Sequence, residues 1–289
     1  MTPALTVVIA AVNSARTVPR CLAALAPQAS GGRVEVLLVA ADDDRAAAAA
    51  GADFAFVRPV AVGGRPLVPE LWGVGVARAR GPIVALTISA CVPAASWVDA
   101  LIAAHRLPHA AVGGPIAPAA GAGLVDLAVF LVRYTPYMPP IVSGPVDEVP
   151  GDNGSYKRDA IGQRLEDIEA HGFWEADINR DLRRAGATLW MDAAAIVTHR
   201  ESFSFAGFSR QRFAHGRRFG ATNGRGLSGA ARLVRVAAAP LVPLVMLRRI
   251  VQRVLRQRRL RLALVVTLPI VVWFLVCWAA GEGVGVLRG

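Results

Sequence analysis

One stretch constrains this chain more than any other: Leu262 to Gly281 (LALVVTLPIVVWFLVCWAAG) runs for twenty residues without a charge. A helix of that length crosses a hydrocarbon core about 30 Å thick, so the stretch predicts a transmembrane helix. Pro269 would kink it, and Trp273 and Trp278 suit packing or an interface. Upstream, Val236–Leu247 is apolar for only twelve residues and is broken by Pro240 and Pro243. That is short for a span and fits a re-entrant or interfacial segment. Between them lies RRIVQRVLRQRRLR, residues 248–261, where Ile250, Val251, Val254 and Leu255 stand at helical spacing among seven arginines. This predicts an amphipathic helix on a membrane surface, its arginines reaching for phosphates.

The net charge of +11 is concentrated in the same region: residues 224–289 hold eleven arginines against Glu282, and residues 1–223 are almost neutral. No stacking aromatics separate the basic residues of the tail, so the excess points to anionic lipid headgroups and away from nucleic acid. The composition, 54% hydrophobic and 18% charged, agrees, since soluble domains carry roughly 25% charged residues. Cys21, Cys91 and Cys277 are odd in number and lack ligand spacing, which argues against a disulfide scaffold or a cysteine zinc site. At the other end, apolar Leu5–Val12 has no basic region before it and runs straight into Asn13. It reads as a buried strand rather than a signal peptide.

The first two hundred residues alternate strand and helix patterns. Thr6–Val12 and Val34–Ala40 are strand-length apolar runs, and residues 14–26 between them look helical, a βαβ opening with parallel strands. A short strand near Phe54–Arg58, a helix at about 71–80, a strand at Ile83–Ile88 and a helix from Ala95 to His105 continue the rhythm. An open sheet of this kind places its ligand at the carboxyl ends of its strands, so Ala11–Ser14, Ala40–Asp44 and Ser89–Pro93 converge on one crevice.

These residues resemble a family. VVIAAVNSARTVPRCLAAL is similar to the first strand and helix of family 2 glycosyltransferases of the GT-A fold, and VEVLLVAADDD to their second strand with its acidic end. GVGVARARGPIVALTISACVPAASWVDAL resembles the segment that carries their metal motif, and GDNGSYKRDAI the acceptor-side segment. FWEADINRDLRRAG resembles the segment of the catalytic base, and VTHRESFSFAGFSRQRFAHGRRFG the closing histidine and helix. The resemblance covers residues 4–220 in the family's order. It implies an α/β, GT-A-like Rossmann-type mixed sheet flanked by helices, over residues 1–223. A membrane-associated tail, 224–289, follows, interfacial or re-entrant over 230–261 and transmembrane over 262–281.

The implied reaction is inverting transfer of a sugar from a nucleotide sugar in one in-line displacement. It needs a base, stabilisation of the leaving diphosphate and an oriented donor. The resemblance aligns Glu175 with the base, where a helix N-terminal glutamate beside the dipole is the plainer reading; Phe173 and Trp174 would raise its pKa if they bury it. Asp177 is the substitute. Asn13, Asp42, Asp43 and Ser89 are donor-side candidates, and Asn13 and Asp42 are equally natural turn formers. Asp152, Asn153, His199 and Arg212 are candidates for the diphosphate or acceptor side, with His199 as a hydrogen-bond donor to the diphosphate or a structural residue.

The chain departs from the family where it normally has Asp-x-Asp. It reads Thr87-Ile88-Ser89 and then Ala90-Cys91, with no carboxylate for the implied Mg2+ or Mn2+. Either basic side chains neutralise the diphosphate, or carboxylates come from Asp147, Glu148 and Asp152, or the chain no longer catalyses. Arg210, Gln211, Arg212, His215, Arg217 and Arg218 share a helical stretch with Phe205, Phe208 and Phe213, a basic lid over the diphosphate or an interfacial helix. LVDLAVFLVRY, within Gly121–Tyr137, is a core helix of the catalytic domain or a membrane-proximal lipid-acceptor groove. The expectation is a membrane enzyme with a cytoplasmic catalytic domain, a nucleotide-sugar donor, a lipid-linked or envelope acceptor and lipid contacts. The alternative is a catalytically silent GT-A-like scaffold that binds nucleotide or lipid.

Overall fold

A computed structural model describes residues 2–12, 14–201 and 203–288. The chain divides into two compact units, Met1–Ala119 with Tyr137–Glu201, and Ala120–Pro136 with Ser202–Gly289. Residues 120–136 and 203–223 group with the tail helices, the latter through glycines that meet the last helix.

In the first unit, β1 (Leu5–Ala10), α1 (Ser14–Leu25), β2 (Val34–Ala41), α2 (Arg45–Ala52), β3 (Val57–Val62), α3 (Val68–Arg78) and β4 (Ile83–Ile88) alternate, α2 being a helix that the sequence reading did not include. β1, with every residue buried, pairs in parallel with β2 and with β4, and β2 pairs in parallel with β3. Glu70 closes the start of α3 by accepting the Leu67 N–H at 2.8 Å, and Asp44 caps α2 through the Ala47 N–H at 2.9 Å. The strand expected near 54–58 lies at 57–62; Pro59 fits there because β3 is an edge strand, where a missing donor costs no ladder bond.

After β5 (Cys91–Pro93) and α4 (Trp97–Ala104) come β6 (His109–Gly113) and β7 (Ile116–Pro118), and α5 (Leu124–Tyr134) then leaves for the second unit. The chain returns with β8 (Gly144–Val146), β9 (Asn153–Lys157), α6 (Leu165–His171), α7 (Glu175–Arg184), β10 (Thr188–Met191) and β11 (Val197–His199). The large sheet runs β3-β2-β1-β4-β9-β6-β10-β8, with β9 inserted antiparallel between β4 and β6. A small sheet, β5-β11-β7, sets His199 opposite Cys91.

The second unit gathers α5, α8 (Phe205–Gly224), α9 (Gly229–Ala238), α10 (Leu241–Leu255) and α11 (Arg261–Arg288). α11 is long and apolar enough to cross a membrane, and it continues beyond the expected end at Gly281 to Arg288. Its Val271, Phe274 and Leu275 are buried, whereas Leu262, Val265, Trp273 and Val276 are exposed, so both faces are apolar. α9 and α10 meet at a 49° bend beside Pro240. The helix expected over 248–261 instead ends at Leu255; Ile250 and Val254 turn inward and Leu255 outward.

α8 and α11 approach through glycines at four-residue spacing, Gly216, Gly220 and Gly224 on one and Gly281 and Gly285 on the other. A Cβ on Gly220 would stand 2.2 Å from the Glu282 carbonyl oxygen, and one on Gly285 2.1 Å from that of Arg217. Backbones this close suit the small-residue packing of membrane helices. Gly220→Val is expected to destabilise this unit by about 1–3 kcal/mol through overpacking. Gly229→Ala, where a Cβ meets nothing within 4 Å, is the control. Thermal unfolding in detergent followed by circular dichroism measures both, and equal midpoints would contradict the close packing.

Candidate active site at the carboxyl edge of the sheet

The carboxyl ends of β1, β2 and β4 do converge. Ser89, fully buried, clamps the chain leaving β1: its hydroxyl accepts the Val12 N–H at 3.0 Å, meets the Val12 carbonyl at 2.9 Å and lies 2.9 Å from the Thr17 hydroxyl. Its hydroxyl thus shapes the loop that follows β1. Ser14 donates to Asp44 at 2.5 Å, which ties the same loop to α2. Asp42 and Asp43 are exposed at the end of β2, with the Asp42 N–H bonded to the Val62 carbonyl. A cleft of about 280 Å³ opens nearby at the end of β3, lined by Gly63, Arg65, Pro66, Glu70 and Glu169. Asn13 lies outside the described residues.

Glu175 begins α7, half-buried, where the helix N-terminus favours a carboxylate. Two contacts orient α7: Asn179 donates to the Val149 carbonyl at 2.9 Å and accepts from the Tyr156 hydroxyl at 3.0 Å. Phe173, fully buried, packs edge-on against Tyr156 at 4.8 Å. Burial first, and then the nearby Glu175 charge, push the Tyr156 phenol well above its usual range, so it stays neutral. A Cβ on Gly151 would stand 2.8 Å from the Trp72 ring and 3.1 Å from the Glu175 carboxyl carbon. Glu175 therefore shares a neighbourhood with Trp72, whose indole N–H donates to the Thr87 carbonyl at 2.8 Å. Sequence reasoning missed Trp72 and Tyr156, because only the pairing of β9 with β4 brings them to this carboxylate. Trp174, expected beside it, instead donates to the His171 carbonyl, and Asp177 pairs with Arg180 at 2.5 Å on its own helix.

Asn153 belongs to the scaffold. Fully buried, it accepts the Trp97 indole N–H at 2.7 Å and donates to the Pro115 and Ala195 carbonyls at 3.0 and 2.8 Å. Asp152 is buried next to it, and its carbonyl accepts from Thr87 at 3.0 Å. His199 is buried opposite Cys91, and the Arg200 N–H bonds the Ala90 carbonyl at 2.7 Å, so this segment lines the turn between β4 and β5. A carboxylate not anticipated from sequence, Glu201, is enclosed there, 3.9 Å from His199 Nε2. Arg212 belongs to the helical unit, where its guanidinium lies 4.3 Å over the Trp278 ring.

The residues present do not fit a divalent cation at the β4–β5 turn. Ile88, Ser89, Ala90 and Cys91 are all buried there, a set without a hard anionic oxygen. Asp147 is exposed and pairs with Arg183 at 3.0 Å, and among the described residues no three His, Cys, Asp or Glu side chains converge.

No family model matches this chain, and no curated protein matches its sequence. Its structure is similar to that of the mannosyltransferase PcManGT from Pyrobaculum calidifontis in complex with GDP-Man and Mn2+, with 14% identity and a TM-score of 0.56 over 98% of this chain and 87% of that one. The crystal structure of a mycobacterial protein is also similar, with 18% identity and a TM-score of 0.49 over 74% of this chain and 73% of that one. Together with the strand order, the first of these likenesses shows a glycosyltransferase-like fold: a mixed eight-stranded sheet flanked by helices, followed by a long apolar helix.

Proposed function

We propose that the chain is an inverting, family 2-type glycosyltransferase of the cell membrane that moves a sugar, a hexose or a close relative, from a nucleotide sugar to a lipid-linked or cell-envelope acceptor. The observation that carries this reading is the Glu175 carboxylate, held at the sheet edge beside Trp72 and Gly151 by the Tyr156–Asn179 contact. Glu175 takes the proton of the acceptor hydroxyl as its oxygen bonds to the anomeric carbon from the face opposite the leaving group. The bond to the diphosphate breaks, and nucleoside diphosphate departs. Asp42 and Asp43, exposed at the crevice, serve the nucleoside end, and His199 serves the diphosphate as a hydrogen-bond donor. The neighbour's GDP-Man supports a nucleotide-hexose donor. The two-sided apolar surface of α11 supports a crossing, with the arginines of residues 248–261 on the cytoplasmic side together with the sheet.

One observation favours a second reading, a silent nucleotide- or lipid-binding scaffold: the β4–β5 turn lacks the oxygens that hold a divalent cation. Assaying the full chain in detergent with a panel of nucleotide sugars, with and without EDTA, separates the two. Release of nucleoside diphosphate is expected, with less than about a twofold loss on chelation, because residues 87–91 of that turn carry no carboxylate. Donor binding without turnover would establish the scaffold. Complete loss on chelation, restored by Mn2+, would mean that other carboxylates hold a cation.

A further inference from the structure

When a sugar leaves a nucleotide donor, one further negative charge develops on the departing diphosphate, and a site that stabilises it lowers the barrier. Residues 87–91, which close β4 and open β5, carry no carboxylate, so this end of the sheet is not built to hold a divalent ion. The positive charge then has to come from the chain itself. Arg33, Arg58, Arg80 and Arg183 of the sheet unit pair with carboxylates at 2.7, 2.9, 3.5 and 3.0 Å. Arg200 differs: it is exposed and takes no ion pair among the described residues.

Its main chain is nonetheless fixed. The Arg200 N–H donates to the Ala90 carbonyl at 2.7 Å, two residues past the end of β4. The strand before it is held on both sides, antiparallel to β5 with His199 opposite Cys91, and parallel to β7. The same turn is tied to the end of β1: the Ser89 N–H bonds the Ala10 carbonyl at 3.0 Å, and the Ser89 hydroxyl accepts the Val12 N–H at 3.0 Å. Arg200 thus stands one hydrogen bond from the turn on which the carboxyl ends of β1 and β4 meet, where an open sheet takes its ligand. The side chains of its neighbours His199 and Glu201 are only 3% and 2% exposed and lie 3.9 Å apart. Glu201 is enclosed beside the imidazole, and Arg200 is the charge at this corner that a ligand can reach.

We propose that Arg200 supplies the cation for the β-phosphate of the nucleotide, in place of a divalent ion. As the bond from the anomeric carbon to the β-phosphate oxygen breaks, the electron pair stays on that oxygen. The guanidinium fork binds it, and the acceptor proton goes to Glu175. The inference rests on the reading of a nucleotide-sugar site and says how that site works without a metal.

The full chain in detergent with EDTA is titrated calorimetrically with ADP, CDP, GDP, UDP and dTDP and with the matching monophosphates. The parent is expected to bind one diphosphate at least about tenfold more tightly than its monophosphate. Arg200→Gln should remove most of that difference while changing monophosphate affinity by less than about twofold. Arg200→Lys, which keeps the charge without the fork, should retain part of it and decides the matter should Arg200→Gln fail to fold. Arg106→Gln removes an equal charge from the opposite end of the sheet, before β6, and should change neither affinity. A merely structural Arg200 would weaken both nucleotides alike. That outcome, an undiminished difference in the Arg200 variants, an equal effect of Arg106→Gln, or a parent that prefers the diphosphate only once Mn2+ is added would overturn the inference and leave the transferase reading standing. A parent that binds none of the nucleotides would overturn both. Selective diphosphate binding through Arg200 without sugar transfer would support the inference and remove the transferase reading.

Discussion

Glu175→Gln is expected to lower transfer by roughly 10²–10⁴-fold while leaving donor affinity within about twofold, the scale of a lost general base. Proton abstraction matters in the transition state and little in ground-state binding, so kcat should fall and the donor dissociation constant should hold. Glutamine keeps the shape that packs beside Gly151 and Trp72, so the fold should survive. Asp177→Asn should cost far less, because that carboxylate is paired with Arg180. Rapid-quench measurement of sugar transfer, together with equilibrium donor binding, tests the assignment. A Glu175→Gln enzyme within a few-fold of the parent rate would remove Glu175 from the role of base.

Asn153→Ala is expected to destabilise the sheet unit by about 3–5 kcal/mol, since each buried partner left unsatisfied costs about 1–3 kcal/mol. It strands the Trp97 indole N–H and the carbonyls of Pro115 and Ala195, three groups that water does not reach at a fully buried residue. Chemical denaturation gives the difference directly. If Asn153 instead served a ligand, the variant would keep its stability and lose substrate affinity, and that outcome would reverse the structural assignment.

The two predictions differ in how far sequence could have led to them. Glu175 is legible because its segment resembles one that carries a base in an ordered series of motifs. The role of Asn153 is not legible, because its partners lie 38, 42 and 56 residues away in the chain. Ser89 is similar: its neighbours in sequence give no sign that it clamps Val12. The glycines of α8 and α11 were legible in principle, since four-residue spacing of small residues is a local pattern, yet only the structure shows that the two sets meet.

By itself the sequence determined β1, α1, β2 and β4 of the first half, with β4 at Ile83–Ile88 as expected, the placing of the acidic strand end, and the apolar length of α11. These follow from periodicity and run length, which report burial over a few consecutive residues. The tertiary structure alone decided that β9 enters antiparallel between β4 and β6, bringing Trp72, Gly151 and Glu175 together. It also decided that α5 and α8 join the tail helices. Pairing across long chain separations depends on complementary faces and backbone approach, and neither is written in a local pattern of residues.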